Sequence, residues 1–203
     1  MFAVRYGEII MKILGITGGS GTGKTTVSKI FEQYGMYRID ADIVAREIVA
    51  KGEKALSEIA DTFGGKVINS DGTLNRKALA KIVFNSKEDL LKLNQITHKY
   101  VSARIDMMLK SCTSDWAIID AAALIESGIN KKCDKVLSVV ADFDVRKKRI
   151  TERDGIDEKS AEERIKAQHD KEFYTQNSDF VIENNKDEYN LKIEAEKVLK
   201  QLR

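Results

Sequence analysis

From Thr17 to Thr26 the chain reads TGGSGTGKTT, a run of small residues closed by a lysine and two hydroxyls. Gly18 through Lys24-Thr25 fits the phosphate-loop spacing G-x-x-x-x-G-K-[ST], with the apolar run Ile13, Leu14, Ile16 before it and a segment of helical period after it. Such glycines leave no side chain between backbone and ligand. Successive N–H groups, together with the helix N-terminus, can then surround an oligophosphate. Lys24 would reach the outer phosphates as a point charge, and the Thr25 hydroxyl would ligate Mg2+. Gly19, Ser20, Gly21, Thr22, Gly23 and Thr26 complete the candidate nucleotide loop. The alternative, an ordinary glycine-rich turn, does not account for the complete motif with both flanks.

Three further groups of residues could work on a phosphate held there. Asp40 and Asp42 lie two apart where a second short strand ends, and they point the same way. Asp42 is the candidate to accept the proton of an acceptor hydroxyl. Arg46, four residues on, would either pair with Asp42 or grip an anionic acceptor. Asp120 closes the apolar run Trp116–Ile119 and would hold Mg2+ through water or serve as a turn or capping residue. Arg146, Arg149 and Arg153 share a helical face, as do Arg164, Gln168 and Lys171 on the next helix. Charge runs are commonly solvated surface, but beside a phosphate loop mobile arginines can neutralise the transferring phosphoryl group and exclude water. This stretch reads as a lid. His98 is the histidine nearest the expected acceptor segment, and a lone histidine is more often a packing residue than a catalyst.

The elements that would position these residues alternate between strand and helix. Val27, Ile30, Phe31 and Tyr34 mark one helical face, and Gly35 stops that helix. Strands are expected at Tyr37–Ala41, Trp116–Ile119, Val136–Val140 and Phe180–Ile182, with a last helix carrying Leu191, Ala195, Val198 and Leu202. About sixty residues of amphipathic helix separate the second and third strands, including a long helix opened by Ser86 and Asp89 with a stripe at Leu90, Leu93, Thr97, Val101, Ile105 and Met108. This pattern implies an α/β fold with a five-stranded parallel sheet flanked by helices, a helical acceptor-binding insertion and a helical lid.

With 203 residues the chain suits one core carrying insertions, and 42% apolar composition is enough to bury it. The net charge of +2 gives no argument for nucleic acid. Cys112 and Cys133 are too few for a disulfide framework or a four-ligand zinc site, and no run approaches a membrane span. A cytoplasmic protein, monomeric, without nucleic-acid or membrane partners, is expected. Met11-Lys12 directly precedes the first strand, so residues 1–10 read as an N-terminal extension.

A phosphate loop, a basic lid, a helical insertion and an Asp after the second strand describe a small-molecule P-loop kinase. A nucleotide kinase of the same architecture, a GTP-dependent switch and a non-catalytic nucleotide-binding regulator are the alternatives. The switch is weakened because Asn185-Lys186-Asp187 is one residue short of Asn-Lys-x-Asp.

From Lys12 to the C-terminal helix the chain resembles the dephospho-coenzyme A kinase family. The resemblance rests on TGGSGTGKTTV at Thr17, IDADIVAREIV at Ile39, FGGKVINSDGTLNRKALAKIVF at Phe63, ITHKYV at Ile96, IDAAALIESG at Ile119, RITERDG at Arg149 and RIKAQ at Arg164. It implies transfer of the ATP γ-phosphate to the ribose 3'-hydroxyl of dephospho-coenzyme A. Lys24, Asp42 and Arg149 would then be catalytic. Ser20 to Thr25, Arg149, Arg153 and Asn184 would serve ATP, Thr25 and Asp120 would serve Mg2+, and Thr17, Asp42, Arg46, His98 and Arg164 would serve the acceptor. The implied map is a nucleotide core of 11–52, 114–145 and 178–203, an acceptor domain of 53–113 and a lid of 146–177. The family's His-Pro is His98-Lys99 here, Asp-x-Pro-Leu-Leu-x-Glu is Asp120-Ala121-Ala122-Ala123-Leu124-Ile125-Glu126, and Asn-Gly near the adenine is Asn184-Asn185. Asn tolerates left-handed backbone, so that last turn is expected to survive.

Overall fold

The computed structural model describes the backbone of Arg5–Tyr6 and of residues 9–202, and the side chains of residues 11–202. The expected extension over 1–10 falls largely outside that description; within it, Arg5–Tyr6 and Ile9–Ile10 pair antiparallel.

The main sheet is built from β1 (Lys12–Thr17), β2 (Tyr37–Asp40), β3 (Trp116–Asp120), β4 (Lys135–Val140) and β5 (Phe180–Glu183). All pairings are parallel, in the order β2-β3-β1-β4-β5. A central strand between two helical layers is apolar on both faces, which is why β1 is buried from Ile13 to Thr17. The register sets Ile16 beside Asp120 and Asp40 beside Asp120, so the acidic strand ends lie side by side. The chain leaves β1 in one direction for β2 and later in the other for β4, making the carboxyl end of β1 the switch point where open α/β sheets bind ligands.

The helices are α1 (Lys24–Gln33), α2 (Ala41–Glu47), α3 (Lys54–Phe63), α4 (Arg76–Phe84), α5 (Lys87–Lys110), α6 (Phe143–Asp154), α7 (Glu158–Lys166), α8 (Lys171–Gln176) and α9 (Glu188–Leu202). They divide, with the strands, between two compact units: residues 1–40 with 112–203, and residues 41–111. In the first unit α1 and α9 close on the sheet through Val27, Phe31, Leu191, Ala195 and Val198, against Leu14 and Leu137. A small separate core of Ile150, Ala161 and Ile165 joins α6 to α7. In the second unit α5 receives α2, α3 and α4. Thus α2, which the sequence map keeps with residues 11–52, clusters with the helical unit.

The local signals act as their chemistry predicts. Gly35 at φ +89 follows the end of α1, and Gly64 at φ +84 caps α3. Ser86 Oγ accepts from Asp89 N at 3.1 Å, and Asp157 caps α7 through Ser160 N at 2.9 Å. Two apolar faces differ from the sequence reading. Tyr34 is 46% exposed rather than on the buried face of α1, because the helix ends before it and its hydroxyl donates to Glu196 at 2.7 Å. On α5 the buried row is Ile96, Val101, Ile105 and Leu109, with Leu90 exposed. Thr97 does not join it because its hydroxyl donates to the Leu93 carbonyl of its own helix at 2.9 Å.

Phe31 is wholly buried between helix and sheet in the first unit. Phe31→Ala should lower stability by about 3–5 kcal/mol, read as a reduced midpoint in urea unfolding followed by circular dichroism.

Candidate active site

The loop between β1 and α1 is a backbone structure. Gly21 and Gly23 sit at φ +78 and +93, the left-handed region that only glycine enters readily. A Cβ on Gly23 would lie 2.3 Å from Asn184 Nδ2, so this position excludes side chains twice over. The buried Thr22 knits the loop by donating Oγ1 to the Gly19 carbonyl at 2.9 Å. No side chain caps α1 and no acid lies in its first turn, which leaves the positive end of the helix for an anion. Thr25, in the first turn of that helix, is exposed.

Below the loop is a buried charge cluster. Lys24 Nζ pairs with Asp120 Oδ1, and the Asp120 side chain is only 1% exposed. The other oxygen, Oδ2, accepts from Ser28 Oγ at 2.6 Å and from Arg38 Nη2 at 2.8 Å. Arg38 Nη2 also reaches Asp40 Oδ2 at 2.7 Å, and its Nε donates to Ser28 Oγ at 2.9 Å. Burial opposes ionisation of Asp120, but Lys24 first, then Ser28 and Arg38, outweigh it and hold the carboxyl below its ordinary range. Asp120 is therefore an anion locked between two cations rather than a capping or turn residue.

Above the loop, α6 supplies two arginines. Arg146, 7% exposed, donates Nε to the Ser20 carbonyl at 2.9 Å and Nη2 to Gln168 Oε1 at 2.7 Å. Burial lowers its pKa from the usual value. Gln168 Oε1 in turn accepts Ser20 N at 2.9 Å, so a side-chain oxygen sits on a loop amide. Arg149 donates to the Asn184 carbonyl at 2.9 Å, to the Lys186 carbonyl at 3.1 Å and to the Gly21 carbonyl at 3.4 Å. Asn184, implied near the adenine, is buried and donates Nδ2 to the Thr22 carbonyl at 2.8 Å, bracing the loop from the β5 side.

The other expected residues divide. Arg153 and Arg164 meet on Asp154, whose carboxyl Arg153 and Arg164 together hold at about 2. Arg153 thus turns at the end of α6 onto its neighbour rather than sharing the contacts of Arg146 and Arg149. Lys171 pairs with Glu183 at 2.7 Å. Thr17 is buried, with Oγ1 donating to the Ala122 carbonyl at 3.2 Å. Asp42, Arg46 and His98 belong to the helical unit and are exposed, the first two on α2 and the third on α5. Asn185 does not take left-handed backbone, since no non-glycine described residue has positive φ. Its turn is fixed instead by Asn185 Oδ1 accepting Asp142 N at 2.8 Å.

Sequence reasoning overlooked Arg38 and Ser28. The available signal was the i, i+2 spacing of Arg38 and Asp40 on a strand, which puts a cation and an acid on one face. Helical spacing places Gln168 and Arg146 on basic faces and does not reveal their contacts with the loop at Ser20.

A parallel sheet in this order, with a glycine loop at its switch point and two arginines of α6 on that loop, defines a P-loop kinase. The dephospho-CoA kinase family model matches residues 12–189. A dephospho-CoA kinase of Fusobacterium nucleatum is 43% identical over 173 residues, covering 85% of this chain and 89% of its own. A crystal structure from Thermus thermophilus aligns with TM-score 0.84 at 27% identity, covering 95% of this chain and 98% of that one. The structure of dephospho-CoA kinase from Campylobacter jejuni aligns with TM-score 0.67 at 27% identity, covering 94% and 96%. The chain belongs to the dephospho-CoA kinase family.

Arg146→Ala removes a buried charged donor from both Ser20 and Gln168. Hydrogen bonds to charged groups are worth about 1.5–3 kcal/mol, so ATP binding should weaken by about ten- to a hundredfold, measured by titration with a fluorescent ATP analogue.

Proposed function

We propose that this chain transfers the γ-phosphate of ATP to the ribose 3'-hydroxyl of dephospho-coenzyme A, producing coenzyme A and ADP. The observation that carries the reading is the intact loop, with Lys24 mounted at its end, inside a chain whose family match spans residues 12–189. The loop amides and the α1 N-terminus receive the phosphates, and Lys24 neutralises their outer oxygens. Arg149, anchored to backbone carbonyls by part of its guanidinium, stabilises charge on the transferring group; Arg153, paired with Asp154 in this structure, would have to leave it to serve ATP from the lid over 146–177. Asp42 is the group for orienting the 3'-hydroxyl and accepting its proton; the residues proposed to serve the acceptor are Arg46 and His98 in the helical unit and Thr17 and Arg164 in the nucleotide unit.

The residues present fit Mg2+. Thr25 offers an exposed hydroxyl at the first turn of α1, and Asp120, a buried carboxylate at the neighbouring strand end whose oxygens Lys24, Ser28 and Arg38 hold, would serve the ion through water. When bound, the ion supplies neutralising charge to the phosphates. Residues 53–113 serve as the acceptor domain. Asn185 and Asp187, which a guanine reader would need free, are engaged locally with Asp142 N at 2.8 Å and Asn190 N at 2.9 Å, which favours ATP over GTP. A monomer in the cytoplasm is the setting this reading assumes.

Purified protein with ATP, Mg2+ and dephospho-coenzyme A should yield one added phosphate at the 3' position by product mass and phosphorus NMR, with nucleosides and nucleotides inert. Phosphorylation of a nucleoside panel instead would overturn the acceptor. Asp42→Asn should lower kcat about a hundredfold or more, with the KM for ATP little changed; equal activity of the variant would remove Asp42 from the chemistry.

A further inference from the structure

The Arg146 guanidinium is a buried charge whose partners are neutral. It is 7% exposed, and the oxygens it holds are the Ser20 carbonyl at 2.9 Å and Gln168 Oε1 at 2.7 Å. Among the described residues no carboxylate pairs with it; burial pulls its pKa down, and the group that opposes this is Tyr174. A buried charge is costly unless a counter-ion accompanies it. The place for one is marked. Gln168 Oε1 receives two donors at once, Arg146 Nη2 and the loop amide Ser20 N at 2.9 Å. A phosphate-loop N–H and a guanidinium N–H converging on one oxygen is how a phosphate oxygen is bound. Here that oxygen belongs to an uncharged carboxamide.

The two sides of the contact are held differently. A Cβ on Gly21 would lie 2.8 Å from the Arg146 carbonyl oxygen and 3.1 Å from its Cα, so the α6 backbone rests against the loop and fixes Arg146 there. Gln168 instead follows the end of α7, in the connection 167–170 that leads to α8, and is partly exposed. Gly19 completes the arrangement. It stands where the motif accepts any residue, yet a Cβ there would overlap Arg146 Nη2 and lie 2.9 Å from Gln168 Oε1.

We propose that Arg146 is a phosphate-binding residue and Gln168 its place-holder: a phosphate oxygen of the nucleotide displaces the Gln168 carboxamide and takes both donors, Ser20 N and Arg146 Nη2. The phosphate brings the counter-charge that the carboxamide lacks, so the exchange neutralises Arg146 while keeping its hydrogen bond. The inference rests on reading the loop as a nucleotide site.

The test is calorimetric titration of Mg2+-free ATP into the wild-type protein and three variants at several salt concentrations. Arg146→Gln keeps a donor and loses the charge. It should bind ATP at least about tenfold more weakly, and its affinity should fall less steeply with salt than that of wild type, because one screened charge contact is gone. Gln168→Ala leaves water on the two donors, which a phosphate displaces more readily, and should bind ATP about three- to tenfold more tightly. Gln168→Glu sets a fixed anion on Arg146 and should bind at least about tenfold more weakly. A brace that stays in place would instead lose affinity on truncation to Ala. Weaker or unchanged binding by Gln168→Ala overturns the proposal, as does a wild-type salt dependence in Arg146→Gln. Should Arg146→Gln not fold, the two Gln168 variants decide it, and any result other than a gain for Ala and a loss for Glu overturns it. Absence of ATP binding by the wild-type protein would overturn the nucleotide reading itself, before any variant is compared.

Discussion

A negative charge buried at the end of β3, beside the central strand, is the constraint around which this nucleotide unit is arranged. Asp120 is tolerated there only because its oxygens are divided between Lys24 on one side and Arg38 with Ser28 on the other. The division fixes more than charge. Lys24 and Ser28 are one turn apart on α1, so the carboxylate sets the rotation of that helix and hence the direction of its N-terminus. Arg38 ties the same acid to β2, whose chain passes at Ala41 into the helix that bears Asp42. One buried acid thereby ties the loop lysine to β2.

The loop itself has little apolar burial to hold it, and its shape is maintained by hydrogen bonds from both flanks. Arg146 and Gln168 grip Ser20, while Asn184 grips Thr22 and shares Arg149 with Gly21. Every one of these partners comes from far along the sequence. Glycine is required where they approach closest, because a side chain at Gly23 would displace Asn184. Helices α6 and α7 are thus joined to each other through the small core of Ile150, Ala161 and Ile165, and α6 to the loop through Arg146 and Arg149.

The sheet, its five strands, the helical insertion and the position of the loop were legible in the sequence because each rests on local patterns: period, capping residues and a motif of fixed spacing. The family resemblance, drawn from segments spread between Thr17 and Gln168, was legible for the same reason and the comparisons bear it out. The contents of the site were less legible because they are made by long-range pairs. Arg38 and Asp120 are eighty-two positions apart, and Gln168 and Ser20 a hundred and forty-eight. Nothing local shows that Asp120 is an ion-pair centre or that Asn184 is a brace. Helical wheel reasoning likewise grouped Arg153 with Arg146 and Arg149, but a carboxylate next door, Asp154, captures it. Asn185 does not use the left-handed backbone that asparagine tolerates, and its side chain instead accepts a hydrogen bond from Asp142 N, forty-three positions away.

Phosphoryl transfer asks the protein chiefly for positioned charge, and in this unit the charge is stored before the nucleotide arrives. Lys24 is held near the loop by Asp120, whose other oxygen Ser28 and Arg38 hold. The central claim is therefore an exchange at one ammonium group. A crystal structure of the chain with ADP bound tests it most directly. The account predicts Lys24 Nζ within hydrogen-bond distance of a phosphate oxygen and beyond 4.0 Å from Asp120, the limit for an ion pair, with Arg38 still on Oδ2. Phosphates bound while Lys24 remains on Asp120, or Arg38 leaving in place of Lys24, would contradict it.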